Sequence, residues 1–151
     1  MGRFLTDPDC IRQREYVNIS AWHDKGYLGK GLSVFCDDVG GSHVAIVADI
    51  IRTILPKSTV YTGNIGYTQK AEEITSCNIS CTETGERLPF DEFVGKYNIS
   101  LINNSTDGGK AGQVLPIAEY MADKIKKHNL IFCGASGNGG DVSQNTLVLA
   151  L

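Results

Sequence analysis

The sequence predicts an α/β fold in which helices cover a mostly parallel sheet. Three observations lead there. Short apolar runs bounded by turn residues recur at 32–36, 58–62, 99–103 and 130–134, the mark of buried strands. Helical periods lie between them, at Val44, Val47, Ile51 and Ile54 and again at Val114, Leu115, Ile117, Ala118, Met121 and Ile125. Strand and helix therefore alternate along the chain, and crossovers of that kind return each strand parallel to the last.

Taken in order, 18–22 reads as a helix start with Asn18 as its cap, followed by the Gly-rich turn 26–31. The strand at 32–37 runs into Asp37-Asp38-Val39-Gly40-Gly41-Ser42-His43, and the helix at 43–54 follows. The two glycines supply the freedom in φ that so tight a turn needs. An Asp ending a strand and a His in the next helix's first turn then meet at one sheet edge, where open α/β sheets place their chemistry. Pro56 stops the helix and 58–62 is the second strand. Residues 64–88 are polar, without a clean period, and read as a loop region with room for one short element. A short helix is expected over 89–97, with Phe90, Phe93 and Val94 on one face, and then the strand 99–103. The amphipathic helix 113–128 ends in Lys124, Lys126, Lys127 and His128, which suits the negative end of its dipole. The strand 130–134 comes last before a Gly-rich turn at 135–140, and the apolar run 146–151 closes the chain.

Composition sets the outer bounds. A chain of 151 residues accommodates one domain with a real core. Its net charge of −3 offers no basic footprint for nucleic acid or an anionic membrane. No apolar run reaches the length of a membrane span, and the first residues lack a signal-peptide core, so the cytoplasm is the expected compartment. Five cysteines, an odd count, point to free thiols. Cys77 and Cys81 also have the spacing of a metal or disulfide pair, but no second pair or neighbouring His completes a site.

Four stretches in order, spanning about residues 18 to 140, resemble the subtilisin-like serine proteases. The run from His23 through Gly31, the strand and Asp38-Val39-Gly40 aligns without a gap with the family's N-terminal helix, turn, first strand and Asp-Ser/Thr-Gly. The resemblance makes Asp38 the catalytic Asp, and Asp37 falls where the family has a buried apolar residue. His43 followed by Val47, Ala48, Ile51, Ile54, Pro56 and Tyr61 is similar to the family's His-Gly-Thr-His-Val-Ala helix, which makes His43 the catalytic His with Val44 and Ala45 in place of Gly and Thr. A second register sets His43 on the motif's second His and Gly40 on the first. The former also places the apolar positions and Pro56, and is preferred. The stretch 102–108 resembles Ile-Asn-Met-Ser-Leu-Gly-Gly, which implies that Ser105, Thr106, Asp107 and Gly108 form an edge pairing with substrate backbone. Finally, 130–139 resembles Val-Ala-Ala-Ala-Gly-Asn-Ser/Glu, which implies that Asn138 donates to the oxyanion. The same Asn of subtilisin is a well-known example of an oxyanion-hole donor.

The implied fold is the three-layer, mostly parallel subtilisin-like domain, with 1–151 as its N-terminal portion and the extra strand between Asp and His absent. The implied activity is peptide-bond hydrolysis by an Asp-His-Ser triad. The triad's Gly-Thr-Ser-x-Ala is missing from the sequence, so the chain alone is expected to be inactive. The expected partners are a peptide or protein substrate, and a Ser-bearing C-terminal segment or a second copy of the chain. No cofactor is expected. Calcium binding is common in the family, but no acidic cluster here makes a site assignable. The alternative is a non-catalytic peptide-binding or regulatory module that keeps the 105–108 edge.

Overall fold

In the computed structural model, residues 8–38, 41–71, 73–105 and 111–135 are described, with 111–115 described by backbone alone. Among these residues a six-stranded sheet carries five helices, in the chain order α1 (Pro8–Tyr16), α2 (Ile19–Asp24), β1 (Ser33–Asp37), α3 (Ser42–Ile54), β2 (Thr59–Lys70), β3 (Glu73–Cys81), β4 (Arg87–Pro89), α4 (Phe90–Lys96), β5 (Ile99–Asn104), α5 (Ala111–His128) and β6 (Ile131–Gly134). The strands lie side by side as β4-β3-β2-β1-β5-β6. β1 is parallel to both β2 and β5, and β5 is parallel to β6. The β2–β3 and β3–β4 pairs are antiparallel.

This α/β sheet is therefore mixed, which corrects the expectation of a mostly parallel one. The difference arises in 64–88, expected as loop. β2 does not end at Thr62 but continues to Lys70, and β3 returns beside it. One face of this ribbon carries Ile65, Tyr67, Cys77 and Ile79 into the core. The other face is Asn64, Gly66, Thr68 and their polar neighbours, and a register shift at Thr68/Gln69 breaks the alternation. So few apolar positions, interrupted by a bulge, leave too weak a period to see in the sequence. Gly63 marks the close approach of the two strands. A Cβ there would stand 1.9 Å from the Ser80 carbonyl oxygen, so only glycine fits.

The sheet divides the core in two. On one face Val34, Cys36, Ala48 and Val60 are buried under Val44, Val47, Ile51 and Leu55. The apolar stripe read from the sequence thus lays α3 on β1 and β2. On the other face Phe35, Ile79, Phe90, Phe93, Ile102 and Met121 centre a larger cluster under α4 and α5. Phe93 meets Phe35 edge-on at 5.4 Å between ring centroids, a favoured aromatic geometry. Asp91 fastens the two helices, accepting hydrogen bonds from Lys124, Lys127 and His128, each at 2.7 Å. Burial would raise its carboxyl, but those three bonds outweigh it and hold the group well below the usual carboxylate range.

Smaller expectations change as well. Asn18 precedes α2 in the left-handed region (φ 57°) and makes no side-chain capping bond. The α1 helix was not foreseen. His23 donates from Nε2 to the Ile54 carbonyl at 2.8 Å, joining α2 to the end of α3. All five cysteines are unbridged. Cys77 and Cys81 lie four residues apart on one strand, about 13 Å, which excludes a disulfide between them. Among the described residues no group of three or more His, Cys, Asp or Glu side chains is arranged to hold a metal ion. Within the same residues no helix is long and apolar enough to cross a membrane.

Candidate functional site

β1 ends in the middle of the sheet, where β5 ends beside it and β2 runs on past it. Asp37 is level with Gly63 of β2 and with Asn104 of β5. Past this point the Asp38 backbone N–H donates to the Gly63 carbonyl at 2.9 Å and the Ser105 N–H donates to the Asp37 carbonyl at 2.9 Å. The main chain at 37, 38, 63 and 105 is thereby held as one platform, formed by hydrogen bonds that a sheet end must satisfy somewhere.

His43 reaches this platform from the other side of the turn. Gly41 sits just ahead of α3 with φ of 79°, a conformation that suits glycine and strains other residues. With that bend, the second residue of α3 faces back to the strand end. His43 Nδ1 donates a hydrogen bond to Asp38 Oδ2. The partners differ sharply in exposure: the Asp38 side chain is 4% exposed and the His43 side chain is 62% exposed. An anchored carboxylate thus fixes one nitrogen of an accessible ring, and Nε2 is left as the basic nitrogen. Such a pair can hold an imidazole in one tautomer and accept a proton at its outer edge.

Asp37, its neighbour, is oriented differently and was not foreseen as a site residue. Alternation along β1 puts it on the face of Phe35, opposite Cys36. It is 2% exposed. Oδ1 accepts the Ile65 backbone N–H at 2.7 Å and Oδ2 accepts the Asn104 side-chain amide at 2.6 Å. Burial pushes this carboxyl up to about 7, aided by the nearby Asp38 charge, while the two N–H donors pull it down. Its one signal in the sequence was an acidic residue at an inward position of an apolar strand. Asn104 had no signal beyond standing next to Ser105.

Ser105 follows β5 directly, and its hydroxyl oxygen accepts a bond from the Asn103 side-chain amide at 2.7 Å. β6 ends at the same edge, where the Ala135 N–H donates to the Asn104 carbonyl at 2.9 Å. The structure therefore brings Asp38, His43 and Ser105 to one edge. Thr106, Asp107, Gly108 and Asn138 lie outside the described residues. In the comparisons with known proteins, no family model, no curated protein and no solved structure matches this chain.

Proposed function

We propose that this chain is the Asp/His-bearing part of a subtilisin-like serine endopeptidase. The observation that carries the reading is the hydrogen bond from His43 to Asp38 at the carboxyl edge of the sheet, with the ring open to solvent. It favours the alignment in which His43 is the catalytic His. In this mechanism the Nε2 of His43 removes the proton from a serine hydroxyl brought by another segment, and later returns it to the leaving amine. Asp38 holds the ring's tautomer and stabilises the imidazolium. The 105–108 edge pairs with the substrate backbone, and Asn138 donates to the developing oxyanion.

The test is fluorophosphonate labelling of protein from its natural source, followed by denaturing intact-mass analysis. The expected result is label on a second polypeptide that copurifies with this chain, or on one longer chain that contains it. Loss of the label on His43→Ala completes the assignment. A single unlabelled mass corresponding to 151 residues overturns the protease reading. That outcome favours a binding module built on the Ser105 edge.

A further inference from the structure

Two carboxylates follow one another at the end of β1, and the proposed chemistry uses only the second. The first, Asp37, is buried and held from two other strands. Its carbonyl accepts the Ser105 N–H, and its carboxyl oxygens accept the Ile65 N–H and the Asn104 amide. These partners belong to different walls. Ile65 lies where β2 leaves β1 and continues past the sheet edge as the arm it forms with β3. Asn104 and Ser105 are the last residue of β5 and the start of the proposed substrate edge. Asp38 and His43 stand on the platform between these walls.

We propose that Asp37 is a positioning residue for this edge: its carboxylate clamps the root of the β2–β3 arm to Asn104 and so sets Ser105 in register beside Asp38. An apolar residue at position 37 would fill the same volume but leave the Ile65 N–H and the Asn104 amide without this acceptor. The buried Ile65 N–H left in that state costs free energy, and the root of the arm would part from β5 to reach water. Asp37 touches neither the His43 ring nor any reacting group, so its effect is transmitted through Ser105. The clamp's purpose rests on the peptide-pairing role proposed for 105–108, but its existence does not.

The test is backbone amide hydrogen exchange by NMR on the 151-residue chain, comparing Ile65 and Ser105 with Phe35 at the sheet centre. In Asp37→Leu, exchange at Ile65 and Ser105 is expected to speed up by about ten-fold beyond any change at Phe35, the equivalent of one lost hydrogen-bonded partner. Asp37→Asn is expected to restore Ser105 nearly to the native rate. It retains an acceptor for Ile65 and can bond to Asn104 once that amide turns over. Equal acceleration at all three amides would mean that Asp37 only adds stability, and overturns the proposal. So would an Asn variant as open at Ser105 as the Leu variant. If Asp37→Leu fails to fold, Asn104→Ala at a half-buried position removes one jaw. It should open Ser105 while Ile65 stays protected, and an unmoved Ser105 sinks the idea. None of these readouts needs a nucleophile or a peptide, so a failed clamp and a failed protease assignment are told apart.

Discussion

The two faces of the sheet invite comparison, because Asp37 and Asp38 are neighbours in sequence and meet opposite fates across it. The α3 face is thin: a few small and branched residues lie under one helix, and its edge opens onto the exposed His43 ring. The α4–α5 face is thick, with three phenylalanines, several isoleucines and Met121 fully or nearly fully buried. The carboxylate on the thin face takes a partner that solvent can also reach. On the thick face the carboxylate is held by the middle of β2 and the end of β5 and has its charge disfavoured. Under the proposed function the accessible His43 ring belongs to the open face and its support to the closed one, the arrangement a base on a preorganised platform needs.

The largest expected contrast is in stability. Phe93→Ala, on the thick face, should cost about 3–5 kcal/mol, read from urea unfolding. Ile51→Ala, half-buried on the thin face, should cost roughly half as much. Equal losses would dissolve the distinction between the faces.

The second contrast is in pH. The folded-state value of Asp37 is raised from 3.8 to about 7. Its contribution therefore favours folding fully below pH 3.8 and is lost as pH rises through about 7. Asp37→Asn should flatten the stability profile across that window, with roughly 4 kcal/mol as the ceiling of the difference. A parallel profile in the variant would mean that the carboxyl is already ionised at acid pH, and that the two donors outweigh burial.

A smaller effect is expected where the thick face meets the surface. Asp91→Ala releases Lys124, Lys127 and His128. Because the cluster is part exposed, thermal unfolding should report a loss of about 1 kcal/mol. The smallest effect belongs to His43→Ala. Exposed as the ring is, the substitution should change stability by less than about 0.5 kcal/mol. A larger loss would make the Asp38–His43 bond a structural device rather than a poised base.

Much of the architecture was legible because its elements bury strong, regular patterns. The stripe Val44, Val47, Ile51 predicted α3 correctly, since a helix that must cover β1 needs apolar residues at that spacing. The arm was illegible for the opposite reason. A ribbon with one polar face, a glycine and a bulge shows little period, and its pairing is specified by the partner strand. Of the candidate site, Asp38 and His43 were readable as strand-end Asp and helix-start His. The spacing said that they were able to meet, and the bend at Gly41 brings them together.

The sequence by itself determined which residues are available: an Asp doublet, one His five residues beyond Asp38, an Asn-Ser edge, and no Gly-Thr-Ser-x-Ala. It also determined the helix stripes and the central strands, because local apolar periodicity is a property of the chain alone. Only the tertiary structure decided which aspartate faces which side of the sheet environment. Alternation puts neighbours on opposite faces, but it is the packing of α4 and α5 that makes one face deep and the other open. The partners of Asp37 are 28 and 67 residues away in the chain. Contacts at that distance exist only once β2 and β5 have closed on either side of β1.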